Sequence, residues 1–358
     1  MERKPLVNQI KEESMKVINE EKSSHLLIPT GCALLDLACS GSTDGGWGVG
    51  KMVNLIGDSS SGKTLIALSM LAEMVLRPEF DDYRFVYDDV ERSLEFDIVR
   101  LFGSKTKKRI ESPYLDDQYP DVYVIEEFQY NVEKFLKSEK PFVYVLDSFD
   151  SLSSKGEVER TEKSIKARES GKDLPGSYKM EKAKIAGEVL RQIVGKLKNL
   201  QSFLLIISQT RDNIDPMSFQ KKTRSGGNAL RFYATHEIWL AVVEKLRDNK
   251  YKRVIGHRIK AKVSKNKLTG RLRDVEFSTY YDLGVDNVGC CVDFLIEEGV
   301  WKREKLTYDT GELGLKGTRE SVISQIEQGL LEKALLQQTQ KAWDSMEDGL
   351  KLDRKRRY

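Results

Sequence analysis

Eight consecutive residues, Gly57, Asp58, Ser59, Ser60, Ser61, Gly62, Lys63 and Thr64, are the most chemically pointed stretch of this chain. They match the spacing G-x-x-x-x-G-K-[ST] and lie between an apolar run, KMVNLIG, and a helix-periodic one, TLIALSMLAEMVL. Glycines let such a loop turn its N–H groups onto phosphates, and the helix behind adds the positive end of its dipole. Lys63 would reach the β- and γ-phosphates of ATP, and Thr64 would hold Mg²⁺. A second apolar run, FVYVLDS, ends in Asp147, placed to share the Mg²⁺, partly through water. Hydrolysis also needs a group that orients or deprotonates water. The segment FVYDDVERSL offers Asp88, Asp89 and Glu91 at the same edge, and the residues alone do not rank them.

Such a site needs a sheet to carry it. Short apolar runs at 51–57, 83–89, 121–128, 141–148 and 203–208 alternate with stretches of three-to-four-residue periodicity, among them KIAGEVLRQIVGKLKNL. That alternation predicts βα units and an α/β fold with a mostly parallel central sheet, covered on both faces. The later runs EIWLAVV, HRIKAKVS and RDVEFSTYY have no long helices between them, which predicts added antiparallel strands at one edge. Residues 153–182 are charged, contain Gly and Pro and show no sustained apolar face, so they read as a loop. Beyond about 286, CCVDFLIEEGVW and a long helical stretch at 321–346 predict a small C-terminal α/β region ending in a basic tail.

The chain has 358 residues, 39% hydrophobic and 32% charged, enough for a full-sized core. No run approaches the ~18 apolar residues of a membrane helix, and MERKPLVNQIKEES lacks the apolar centre of a secretion signal, so a cytoplasmic protein is expected. Cys32, Cys39, Cys290 and Cys291 lack metal-ligand spacing and read as free thiols. The net charge of +3 hides uneven segments: residues 245–274 hold twelve Lys/Arg against two Asp, whereas 79–97 hold eight acids against two Arg. The basic block marks a candidate polyanion surface.

After the apolar FLLIIS comes SQTRDNIDPMSFQKKTRSGGNALRFY, a long polar excursion. Arg211, Lys221, Lys222 and Arg224 oppose only Asp212 and Asp215. A loop with this balance is suited to a charged backbone, and loops of such length are usually functional or disordered.

These segments together resemble the RecA-type strand-exchange recombinases. IPTGCALLDLA followed by GDSSSGKT is similar to that family's entry into its phosphate loop, YDDVERSL to its catalytic-glutamate segment, VYVLDS to its magnesium strand, and SQTR with SGGNALRFYA to the ends of a DNA-binding loop. VSKNKL at 263–268 resembles the paired-lysine segment that reaches a neighbouring subunit's ATP. The resemblance covers roughly residues 28–305.

It implies a RecA-like ATPase core at 29–285, an N-terminal extension at 1–28 making a subunit contact, and a small C-terminal domain at 286–358. It implies Glu91 as catalytic base, Gln209 as γ-phosphate sensor, and Lys265 and Lys267 as groups that act across a filament interface. DNA-binding loops would lie at about 153–182 and 210–228, with Lys179, Met180, Arg191, Arg211, Ile214, Lys221, Lys222, Arg224, Gly226, Gly227 and Asn228 facing DNA. Phe232 would pack across the interface.

The chain departs from the family in three places. The segment before Ser177 is about a dozen residues longer, Ile98 stands where an aromatic often covers the adenine, with Phe96 nearby, and the C-terminal tail is basic rather than acidic. The implied activity is a DNA-dependent ATPase that forms filaments on single-stranded DNA and pairs it with homologous duplex in recombination and repair, served by single-strand-binding and loading proteins. The rivals are a hexameric helicase or translocase of the same fold and a mediator that binds ATP without hydrolysing it.

Overall fold

A computed structural model describes residues 26–114, 119–170, 181–212, 222–224 and 227–354. The chain opens with β1 (Leu27–Ile28), α1 (Ala33–Ser40) and β2 (Trp47–Gly48), the two short strands pairing with each other. Then come β3 (Met52–Gly57), α2 (Lys63–Val75), β4 (Arg84–Asp89), α3 (Ile98–Arg109), β5 (Ile110–Glu111), α4 (Ile125–Leu136) and β6 (Phe142–Asp147). Next are α5 (Lys155–Glu169), α6 (Glu181–Asn199), β7 (Phe203–Asp212), β8 (Lys222–Arg224) and α7 (Gly227–Tyr233). Three strands, β9 (His236–Arg247), β10 (Val254–Asn266) and β11 (Asp274–Tyr280), then lead through β12 (Gly284–Val285) to α8 (Asn287–Glu297). The chain closes with β13 (Lys302–Glu304), β14 (Thr307–Asp309), β15 (Lys316–Gly317), α9 (Arg319–Gln328) and α10 (Glu332–Gly349).

The central sheet runs β12-β11-β10-β9-β3-β7-β6-β4-β5. Pairing is parallel from β9 through β5 and antiparallel on the β10–β12 side, and β8 folds back antiparallel on β7. Parallel strands covered on both faces read as near-continuous apolar runs, as FLLII and FVYVL do; in MVNLI the buried Asn54 accepts from Ser208 Oγ at 2.9 Å. Their side chains alternate between two cores: Val53, Leu55, Val143, Val145, Leu205 and Ile207 face α1, α2 and α8, whereas Met52, Tyr144, Leu146, Leu204 and Ile206 face α4 and α6. The first core continues without a gap into Phe294 and Trp343, whose rings lie 6.0 Å apart, so the C-terminal segment shares it. The four cysteines are buried free thiols. Among the described residues no helix is long and apolar enough to cross a membrane.

Four sequence expectations need correction. The run at 121–128 is not a strand: only Val124 makes a bridge, to Ser153, and Ile125 opens α4, whose Phe128, Val132 and Phe135 recur at helical spacing into the second core. The segment 153–182 is not all loop: Ser154 and Glu157 form a reciprocal capping box that starts α5. Glu, Lys, Arg and Ala supply its helix propensity, and none of its side chains is buried. The excursion at 210–228 is partly a ribbon, since β7 continues to Asp212 and pairs Arg211 with Thr223. The stretch at 321–346 is two helices, broken between Gln328 and Glu332, where Leu330 takes φ 53°.

Candidate nucleotide site

Register carries the chemistry to one edge. β3, β7, β6 and β4 run parallel, with Gly57 opposite Gln209 and Asp89 opposite Asp147, so their carboxyl ends open on a common cleft. Ligands of open α/β sheets bind at such an edge. The cleft measures about 460 Å³ and is lined by Ser59–Leu65, Glu91, Phe96, Asp147 and Gln209, with His257, Tyr280 and Tyr281 on its far wall.

The cradle explains its glycines. Gly62 has φ +90°, and a Cβ there would sit 2.6 Å from Ile259 Cδ1; one on Gly57 would meet the Leu240 carbonyl oxygen at 2.6 Å. Lys63, at the first turn of α2, is buried and donates from Nζ to the carbonyls of Gly57 (2.9 Å) and Asp58 (2.6 Å). Burial holds its pKa below the ordinary lysine value, against the pull of Asp147 and Glu91. A phosphate in the loop would compete with those carbonyls for the ammonium.

The Thr64 hydroxyl donates to Asp147 Oδ2 at 2.8 Å, and Tyr87 OH donates to the same oxygen at 2.7 Å. Burial raises the Asp147 pKa despite these two donors. Among the described residues no group of three or more His, Cys, Asp or Glu could hold a metal. A hydroxyl and a carboxylate are hard oxygen donors that fit Mg²⁺, which takes few protein ligands and completes its shell with water and substrate phosphates.

The three acids at the end of β4 and just beyond it separate cleanly. Asp88 is buried and accepts from Tyr144 OH at 2.5 Å; burial pushes its carboxyl up to about 7. Asp89 accepts from the backbone N–H groups of Ser93 (3.2 Å) and Leu94 (2.9 Å), shaping the turn. Glu91, carried by that turn, lines the cleft. Its Oε1 accepts from Gln209 Nε2 at 2.7 Å, from Ser151 Oγ at 3.1 Å and from Ser148 Oγ. The backbone N–H of Gln209 donates in turn to Asp150 Oδ2 at 2.7 Å. Thr210, next along β7, donates to Asp58 of the cradle.

Lys265 and Lys267 are elsewhere. The end of β10 pairs Asn266 with His236, which sits beside Val53 at the start of β3, roughly 13 Å of strand from Gly57. Both ammonium groups donate to the Phe232 carbonyl, at 3.1 and 3.3 Å, and Lys265 also to that of Arg231. Phe232 is 69% exposed next to them. These three residues form one surface, at the opposite edge of the sheet from the chain's own phosphate loop.

The candidate DNA residues scatter more. Arg191 is exposed on α6, Asn228 is exposed near the start of α7, and Gly227 opens that helix. The backbone of Arg211 lies in β7 and that of Lys222 and Arg224 in β8. Lys179, Met180, Ile214, Lys221 and Gly226 lie outside the described residues.

Sequence reading missed the far wall. Tyr281 meets the His257 ring edge-on, centroids 5.7 Å apart, and Arg100 of α3 donates to the Tyr281 carbonyl at 3.4 Å and pairs with Asp282 at 3.0 Å. With Phe96 lining the same cleft, aromatic faces suited to a nucleobase are at hand. The pair TYY at 279–281 was a visible signal, but nothing local tied it to a loop more than 200 residues earlier.

Comparison with known proteins follows this geometry. The family model for the RecA N-terminal domain matches residues 7–286. The Protein RecA of Oleidesulfovibrio alaskensis is 27% identical over 326 residues, covering 90% of this chain and 84% of that one. The Protein RecA of Geobacter sulfurreducens is 30% identical over 274 residues, 76% and 72% of the respective chains. That of Gloeobacter violaceus is 28% identical over 302 residues, 84% and 73%. On the breadth of that match, the chain belongs to the RecA family.

Proposed function

We propose that this chain is a DNA-stimulated ATPase that assembles into filaments on single-stranded DNA and uses them to pair and exchange homologous strands. The observation that supports the reading is that the phosphate-loop cleft and the lysine pair lie at opposite edges of one sheet. Lys63, Thr64, Asp147, Glu91 and Gln209 line one edge, while Lys265 and Lys267 lie at the other. Head-to-tail stacking of copies would bring the lysines of one onto the nucleotide of the next, and repetition of such a heterologous contact makes a filament.

In this scheme Glu91 orients and deprotonates the attacking water, and the incoming lysines neutralise charge as it develops on the phosphoryl oxygens. Thr64 and Asp147 would hold Mg²⁺, which supplies charge neutralisation on the phosphates when bound. Gln209 now donates to Glu91; with nucleotide bound it turns to the γ-phosphate, leaving the carboxylate to the water. Gln209 lies on β7, three residues before the strand's end, so its move is passed directly to the polypeptide that meets DNA.

Arg211, Lys222 and Arg224, joined by Ile214, Lys221, Gly226, Gly227 and Asn228, contact the single strand, mainly through phosphates. Ordering a loop costs on the order of 1–2 kcal/mol per residue, so DNA supplies what nucleotide does not. The two ligands then strengthen each other's binding, with steep salt dependence. A strand-exchange reaction between circular single strands and homologous linear duplex, with ATP and Mg²⁺, tests this. Joint molecules that require ATP and homology are expected. ATP hydrolysis unchanged by single strands, or closed six-membered rings in electron micrographs, would overturn it.

A further inference from the structure

We propose that Asn266 is a positioning residue for hydrolysis, setting the place of the Lys265 and Lys267 ammonium groups; this rests on the reading that those lysines serve a neighbouring copy. The local cause is a bulge. β10 pairs with β9 as far as Val263 opposite Ile238, then Ser264 is extra and pairing resumes with Lys265 opposite Glu237. One inserted residue shifts the alternation of every later side chain. Asn266 therefore turns inward, 7% exposed, while Lys265 is half-buried and Lys267 exposed.

A buried amide is costly unless it is hydrogen-bonded. The bonds of Asn266 fix the turn that follows Lys267 and anchor it to α1. Its Oδ1 accepts from the backbone N–H groups of Leu268 and Thr269, both at 3.0 Å, closing an Asx-type turn straight after Lys267. Its Nδ2 donates to Thr269 Oγ1 at 2.8 Å, to the Arg271 carbonyl at 3.0 Å and to the Cys39 carbonyl at 2.8 Å. The last bond ties the turn to the end of α1, inside the first core. The Lys267 N–H is held as well, by the Thr235 carbonyl at 2.9 Å.

The lysine pair is thus mounted rigidly at the C-terminal end of α7, where unpaired carbonyls attract cations. Charge placed for a transition state tolerates little displacement: a shift of about 1 Å can cost ~100-fold in rate. Asn266 touches no phosphate in this scheme. It acts through the lysines it carries.

Asn266→Ala is expected to lower kcat for single-strand-stimulated hydrolysis about 10- to 100-fold. Binding of a fluorescent ATP analogue should stay near wild type, because the variant's own cleft is intact, while the melting temperature falls, because the partners of Asn266 lose their hydrogen bonds. Asn266→Ser, which keeps one acceptor for a backbone N–H, should fall between the two. The decisive readout is mixing. Adding Glu91→Gln protein, inactive itself but with intact lysines, should restore hydrolysis to Asn266→Ala clefts. Failure of mixing to restore activity, or wild-type turnover in Asn266→Ala while Lys267→Ala is slow, would overturn the assignment and leave the function standing. Wild-type turnover in Lys267→Ala would instead remove the in-trans reading on which the assignment rests.

Discussion

The two edges of the central sheet make opposite use of the same strands. At the carboxyl end of β3 the side chains face one another: Thr64 on Asp147, Gln209 on Glu91, Thr210 on Asp58. At its amino end Lys265 and Lys267 face the backbone of α7 and open surface. The cleft has acids and a hydroxyl to handle a metal and water, yet the cation within it, Lys63, is held on the loop itself. The far edge brings two cations, both seated on backbone carbonyls at the end of α7. Under the proposed function, a division of this kind would make catalysis depend on assembly, because the lysines of one copy would complete the cleft of the next.

That contrast can be broken from either side. The largest effect is expected from Glu91→Gln, about 10²- to 10⁴-fold in kcat with nucleotide binding retained, measured by steady-state hydrolysis beside equilibrium binding. Lys267→Ala should follow, with a loss of about 10²- to 10³-fold and an unperturbed cleft. Equal binding by the two variants with unequal loss of turnover would sharpen the comparison, whereas loss of binding in Lys267→Ala would make that lysine a binding group rather than one specific to turnover. Tyr281→Ala removes an aromatic face from the far wall and should raise KM for ATP about 2- to 10-fold with kcat little changed. The smallest effect tests the strand beneath the cleft. The Asp88 carboxyl, ordinarily near 3.8, is pushed up to about 7 by burial. Between these values the unfolded chain has lost a proton that the folded chain keeps, so this group's contribution to stability falls as pH rises from about 4 to 7. The melting temperature of Asp88→Asn should gain on wild type across that window and run parallel to it above. A constant difference would mean that Asp88 titrates normally.

How much of this was legible depended on distance along the chain. The cradle at 57–64 and the strand ending in Asp147 could be read because their meaning lies within eight neighbouring residues and an apolar run. Asp88, Asp89 and Glu91 could not be ranked, since their roles are decided by Tyr144, by the N–H groups of Ser93 and Leu94, and by Gln209. The apolar residues in DVYVIEEF fit a strand or a helix start equally well, and only packing of Phe128 and Phe135 against the sheet decides. Residues 155–169 read as loop because they have no apolar face; the capping box and the helix-forming charged residues were the overlooked signal. That the lysine pair stands at the far edge follows from the pairing of β10 with β9 and of β9 with β3, a non-local fact no motif contains.

The most direct test of a divided site is to mix two dead proteins. Glu91→Gln has a disabled cleft and sound lysines; Lys265→Ala/Lys267→Ala has the reverse. Each alone should hydrolyse ATP negligibly on single-stranded DNA. If the site is shared between copies, an equal mixture forms some interfaces with a sound cleft and sound lysines. Hydrolysis should then return to roughly a quarter of the wild-type rate for random head-to-tail assembly. A mixture as inactive as its components, although both are shown to co-assemble on the same strands, would contradict the account.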